Sequence, residues 1–372
     1  MTKPLMADTA HSVRDGDGVR WPAPDGIPYL RSGHRALAEA ALARLDAGDR
    51  EGALVLLLAD QDDWWRGPLA EPDALRQLVR SGTTLSLRDA MQLLAWGPVA
   101  DYFAHRWSDP TFLAGLALVE AHWTAPRHAF ELACGIGHHL RELSRHGIAV
   151  TGVDVVFAKL WVARHWVAPA ARLLCLDAAQ PWLVTDRFDL VACHDAFYFL
   201  EPKPDILACL RALLDPGRGV LAIGHVHNSE CDNLSAGSAI SAEAMAALFP
   251  EGMLYDDAEL TRALAEDRAP RPLPARGLRR VEAFAVADGP GLRPAQAVSG
   301  LLGLPPVGTL LRRNPLYGAG GRIAWPSERY AREYGPRATY PAVSAVPDWV
   351  AFDATTAAAA RRRELVDLPE GW

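Results

Sequence analysis

The sequence predicts an α/β fold, a parallel sheet with helices on both faces, preceded by a helical layer and followed by an irregular C-terminal extension. Two observations carry this. Five short apolar runs, near 129–133, 149–153, 172–176, 188–193 and 219–224, alternate with helical patterns near 137–146, 157–166 and 204–214. The stretch Ala129 to Asp154, AFELACGIGHHLRELSRHGIAVTGVD, also reads as strand, tight turn, helix and strand. Ligands of such sheets bind beyond the carboxyl ends of the strands, where the strand order reverses.

In that stretch the turn is built from Ala133, Cys134, Gly135, Ile136 and Gly137. Two glycines let a ligand approach the backbone N–H groups at the start of a helix, where the positive end of its dipole lies. Asp154, ending the second strand, can accept hydrogen bonds from a ribose diol. The dinucleotide fingerprint G-x-G-x-x-G is not met, because Leu140 stands three positions after Gly137 and the acid Glu131 precedes the turn.

The pattern Glu131-Leu-Ala-Cys-Gly135-Ile-Gly137 followed by Gly152-Val-Asp154 resembles the first two motifs of the class I S-adenosylmethionine-dependent methyltransferases. Ala133 stands where that family usually carries the first glycine of the turn. The family's order continues downstream. Ala171 to Leu176 is a further apolar run ending in Asp177-Ala178. Phe188-Asp-Leu-Val-Ala-Cys-His-Asp-Ala-Phe-Tyr-Phe-Leu200 is similar to its fourth-strand motif. Ile206 to Asp215, Pro216-Gly217 and Gly219 to Gly224 are similar to its next helix, turn and strand. The resemblance covers Ala129 to Asn228 and implies S-adenosylmethionine as cofactor. It implies that Glu131, Ala133, Gly135 and Gly137 cradle the cofactor and that Asp154 with Val155 meets the ribose. By the same resemblance Asp177 with Ala178 meets the adenine amine, and Cys193 with His194 forms the loop under the reacting methyl group.

At 372 residues and 50% hydrophobic content, the chain is long for one such domain, so appended elements are expected. A net charge of −7 argues against nucleic acid as substrate, since phosphate binding needs a clustered basic surface. No apolar run approaches the roughly 18 residues of a membrane span, and the start MTKPLMADTA is polar, so a soluble, cytoplasmic protein is expected. The five cysteines lack a C-x-x-C pair, which indicates neither a zinc site of usual spacing nor a disulfide framework, and no metal is predicted.

In chain order, residues 1–31 are rich in Gly, Pro and Asp and are expected to be disordered or extended. Asp25-Gly-Ile-Pro-Tyr-Leu30 is similar to the ending of small metal-ribbon modules found beside some methyltransferases, but the cysteines of such a module are absent. Residues 32–125 read as a helical cap; Ala36, Leu37, Ala40, Ala41, Leu42 and Leu45 repeat at three and four, and Ser86-x-x-Asp89 resembles a capping box. Tyr102, Phe103, His105 and Trp107 of this cap are candidates for lining the cleft. Residues 126–288 form the predicted core, with a late strand from Leu278 to Val286. Residues 289–372 form an extension, a candidate substrate lid, with a terminal helix near Ala351 to Leu365.

Methyl transfer from a sulfonium requires alignment of the nucleophile and, for a hydroxyl, removal of its proton. The groups able to reach the methyl should follow strands four and five, where the sequence offers His194-Asp195 and His225-Val-His227-Asn228. His227, His194 and His225 are the candidate catalytic residues, because an imidazole suits a base at neutral pH. His227 is the first choice, as it lies farthest beyond the expected strand end. The His138-His139 pair is expected to face solvent or to pack. The reading is therefore a methyltransferase for a small-molecule acceptor, with O-methylation favoured over N-methylation. A silent cofactor-binding partner protein and a peptide or protein methyltransferase are the alternatives.

Overall fold

The computed structural model describes residues 5–180, 182–232 and 237–372. The first four residues of the N-terminal stretch lie outside the described part. The rest of that stretch takes the extended one of its two expected forms, paired into a small antiparallel sheet of β1 (Met6–Thr9), β2 (Ser12–Arg14) and β3 (Arg20–Pro22). Its physical basis is a polar clamp rather than apolar patterning. Asp8 accepts from Arg14 and Arg20, and Asp15 turns the β2–β3 connection by accepting from the Asp17 and Val19 backbone while receiving the Trp21 indole.

The central sheet has seven strands. They are β4 (His128–Leu132), β5 (Ala149–Asp154), β6 (Arg172–Cys175), β7 (Leu190–His194), β8 (Val220–His227), β9 (Met253–Asp256) and β10 (Ala283–Asp288). Their order is β6-β5-β4-β7-β8-β10-β9, with β10 antiparallel to both neighbours and β4 to β8 mutually parallel. Strands covered on both faces read as nearly continuous apolar runs, which is why FELA, LVAC and VLAI were visible as strands. The chain leaves β4 toward β5 and β6, then returns to the other side through β7 and β8. The reversal therefore falls between β4 and β7, and a ligand crevice opens at their carboxyl ends.

The late strand begins only at Ala283, because Ala275–Leu278 forms a short helix. β8 is longer than expected, so His225 and His227 sit in its last three residues rather than after it. The pairing of β10 with β8 shifts register between Phe284 and Val286, setting Gly224 and His225 against Ala285. At this bulge His225 takes a φ of 53°, which re-aims its side chain.

Six helices precede the sheet: Arg35–Asp46, Arg50–Leu58, Pro72–Ser81, Leu87–Leu93, Pro98–His105 and Pro110–Ala121. Ser86 and Asp89 exchange both bonds of a capping box. The Pro110–Ala121 helix is buried on every side, capped by Asp109, and packs between β8 and the Asp257–Glu266 helix. One continuous apolar core runs from Trp21 through these helices and the sheet to Leu302. The segment around Tyr29 extends the sheet itself, since Leu30 N–H donates to the Cys175 carbonyl and Cys175 N–H to that of Pro28.

Beyond residue 289, β11 (Leu310–Arg313) lies between β12 (Trp349–Ala351) and β13 (Leu365–Val366). The expected terminal helix shrinks to Ala357–Arg361, because the residues on either side of it are drawn into this sheet.

Candidate active site

At the carboxyl ends of the parallel strands, a band of half-buried residues interrupts an otherwise buried surface. It comprises Ala133 and Gly135 after β4, Val155 after β5, Asp177 and Ala178 after β6, and Asp195 after β7. Five of these six positions are ones the sequence singled out for the cofactor. Ala133 adopts φ 56°, a left-handed conformation that glycine takes freely and that strains an L residue by about 1–2 kcal/mol. Asp195 (φ 55°) and His225 (φ 53°) share that conformation, so strained non-glycine residues follow β4 and β7 and bend β8 around one crevice. Such strain gathers at functional sites.

Asp154 is positioned by the chain's own backbone. Its Oδ2 accepts from Gly135 N–H (3.0 Å) and its Oδ1 from Val156 N–H (2.9 Å), with Lys159 Nζ 3.7 Å away. Asp177 Oδ1 accepts from Ala179 N–H, which leaves its second oxygen unengaged by that turn. Gly135 lies under the Phe103 ring, where an added Cβ would come within 3.2 Å of ring carbon. A small turn roofed by an aromatic ring, flanked by two oriented carboxylates, fits an adenosyl cofactor.

Four expected cofactor residues, Gly137, Cys193, Glu131 and His194, are placed differently. An added Cβ at Gly137 would meet the Ala168 and Ala163 methyls at 3.2 and 3.4 Å, so this glycine serves close packing of its own helix layer. Cys193 is fully buried within β7, and burial pushes its thiol pKa up. Glu131 is also buried, beneath the turn, with Oε1 3.0 Å from His139 Nδ1.

The acceptor side is organised by Asp195. Its Oδ2 accepts from Tyr102 (2.8 Å) and Arg106 (2.9 Å), and its Oδ1 from Tyr198 (2.9 Å). Burial opposes its charge, but Arg106 and the neighbouring imidazole of His225 outweigh that and hold the carboxyl at about 2. His225 Nδ1 lies 2.9 Å from Asp257 Oδ2, and Arg337 reaches the same oxygen from the C-terminal extension (3.1 Å). Burial disfavours the imidazolium of His225, yet Asp257 and Asp195 raise its pKa. His227 packs against Tyr198 and His225, with ring centroids 4.2 and 5.0 Å apart. Both its ring nitrogens are buried without a hydrogen-bond partner, and burial together with His225 lowers its pKa to about 4.

The three candidate histidines are therefore not one group. His225 and His227 converge with Asp195, whereas His194 turns into the helix layer against His139, with ring centroids 4.3 Å apart. Of the aromatic residues expected at the cleft, Tyr102 and Phe103 reach it. Trp107 instead packs at a tilt against His138, and His105 packs edge-on against Tyr330 and Trp372. His138 and His139 are buried and pack, as the second half of their expectation allowed. Sequence reasoning missed Arg106, Asp257 and Arg337, which come from the cap, a helix after β9 and the extension; no local spacing links them. The extension also contributes Tyr330, Tyr334 and Tyr340, clustered with Leu316 and packed against Tyr102.

Residues 129–217 match the family described as a methyltransferase domain. Over 142 residues the chain is 24% identical to a ubiquinone biosynthesis O-methyltransferase from Histophilus somni (strain 2336), a match spanning 36% of this chain and 59% of that protein. Among solved structures, the CalS10 aminopentose methyltransferase from Micromonospora echinaspora aligns at TM-score 0.36 and 17% identity, over 50% of this chain and 93% of that one. A Haemonchus contortus phosphoethanolamine N-methyltransferase 2 aligns at TM-score 0.40 and 18% identity, over 55% and 60% of the two chains. Residues 129–217 thus match a methyltransferase domain, set within a longer chain.

Proposed function

We propose that the chain is an enzyme that methylates a small-molecule acceptor, at a hydroxyl in preference to an amine. The observation that carries the choice of hydroxyl is His227, a neutral imidazole with two unpartnered buried nitrogens beside Asp195. The cofactor supplies an electrophilic methyl group whose sulfonium is already a good leaving group. In this reading Ala133 and Gly135 leave room along the turn, Asp154 accepts from the ribose and Asp177 from the adenine amine. His227 accepts the acceptor's hydroxyl proton at a ring nitrogen as the new bond forms. Tyr102, Tyr198 and Arg106 hold Asp195 charged beside it, which favours the imidazolium that results. His225, anchored by Asp257, orients rather than removes protons. The cap and the tyrosine cluster of the extension close over this pocket and exclude water.

The O-methyltransferase named among the relatives supports a hydroxyl acceptor. The test is transfer of labelled methyl from S-adenosylmethionine to a panel of phenols, alcohols, amines and peptides. Labelling of hydroxyl compounds that fails in a His227→Ala variant is expected. Labelling confined to amines or peptides would overturn the assignment, and tight S-adenosylhomocysteine binding with no transfer would favour a silent partner protein.

A further inference from the structure

We propose that Glu131, His139 and His194 form a binding site for a divalent transition metal such as Zn²⁺, distinct from the His225–His227 pocket. The three come from different elements: the end of β4, the first turn of the His138–Arg145 helix and the end of β7. They are 2%, 6% and 6% exposed, so each polar atom must be satisfied within the protein. They are not: Glu131 Oε2, His139 Nε2 and His194 Nδ1 are all buried without a hydrogen-bond partner. Each orphan of this kind is destabilising, and three in one cluster point to a shared missing partner.

The geometry says what that partner is. One ligand atom from each residue can be chosen so that all lie within 4.8 Å of one another. Ligands held about 2.0–2.2 Å from one ion stand roughly 3–3.5 Å apart, so the cluster needs only small side-chain shifts to close on a metal. Space is cleared around the nitrogens by glycine. A Cβ at Gly115 would lie 2.7 Å from His139 Nε2 and 3.2 Å from His194 Nδ1, and one at Gly224 would lie 2.7 Å from His194 Nδ1. The donor set, two imidazoles and one carboxylate, suits zinc or iron rather than magnesium or calcium.

Asp195, His225 and His227 have the same composition and a similar spacing, but there the unpartnered atoms belong to His227 alone. Asp195 already accepts from Tyr102, Arg106 and Tyr198, and His225 Nδ1 is matched to Asp257. A metal at Glu131 would tie the strand before the glycine turn to the helix after it and to β7. Glu131 then positions the cofactor turn through the metal.

The experiment uses the full chain, stripped with a chelator and titrated with Zn²⁺, then with Co²⁺ as a spectroscopic probe. About one tightly held metal per chain is expected, with Co²⁺ absorption bands of a mixed nitrogen and oxygen site. His139→Gln and His194→Gln should each weaken Zn²⁺ binding by at least tenfold, while His227→Ala keeps it. Gly115→Ala, which retains all three ligands, should also weaken it, guarding against loss of fold in the ligand variants. Absence of stoichiometric metal in the wild type would overturn the proposal. So would metal that survives His139→Gln and His194→Gln but is lost in His227→Ala.

Discussion

Asp154 and Ala133 show how single residues set the cofactor turn. Asp154 spends one oxygen on each of two backbone N–H groups, which fixes the carboxylate while leaving lone pairs for a ribose. Asp154→Ala should therefore weaken S-adenosylhomocysteine binding by about 1.5–3 kcal/mol, the range for hydrogen bonds to a charged group. Unchanged affinity by calorimetry, in a variant whose circular dichroism is native, would remove Asp154 from the site. Ala133 holds a left-handed φ of 56° that its Cβ resists. Ala133→Gly should raise the urea midpoint, by an amount equivalent to about 1 kcal/mol once glycine's greater unfolded freedom is subtracted. A lowered midpoint would mean that the methyl makes packing contacts that outweigh the strain. At the reacting end, His227→Ala should lower turnover by about 10²–10⁴-fold with little change in cofactor affinity. Near-native turnover would shift the reaction to alignment alone and the acceptor to an amine or thiol.

At the scale of elements, legibility followed the range of the forces involved. The parallel strands and the capping box at Ser86 could be read because local apolar runs and a three-residue spacing encode them. The β1–β3 sheet was missed because Asp8, Asp15 and their arginine partners hold it, and a polar Gly- and Asp-rich stretch carries no apolar period. The same holds at the candidate site. His225 and His227 were visible from their place after a strand, but Arg106, Asp257 and Arg337 join them only through tertiary packing. The helical cap shares one continuous core with the sheet, its Pro110–Ala121 helix buried all round. Removing residues 1–125 should accordingly expose the faces of β4, β7 and β8 and give insoluble or inactive protein. A chain starting near Pro126 that unfolds cooperatively and methylates at the full rate would show the cap to be an accessory.

For the whole molecule, the buried histidines predict a sensitivity to acid whose sign can be worked out. Burial holds His105 and His227 near a pKa of 4 and also lowers that of His122. In the unfolded chain all three titrate near 6.5, so between about pH 6.5 and pH 4 the unfolded state binds more protons. Stability must then fall as pH drops through that window. His225 works in the opposite sense, because Asp257 raises its folded pKa; its contribution is complete below about 6.5 and is lost as pH rises through the raised value. His138, His139 and His194 are lowered by burial in the same sense, so among the histidines the lowered groups outnumber the one raised and leave a net loss on the acid side. Urea midpoints measured from pH 7.5 to pH 4 should decline steadily, and the decline should be shallower in His105→Gln, whose imidazole nitrogen Nδ1 is buried without a partner. A midpoint that stays flat or rises toward pH 4 would show that these imidazoles take up protons in the folded state, and that the pocket around His227 is wetter than its burial implies.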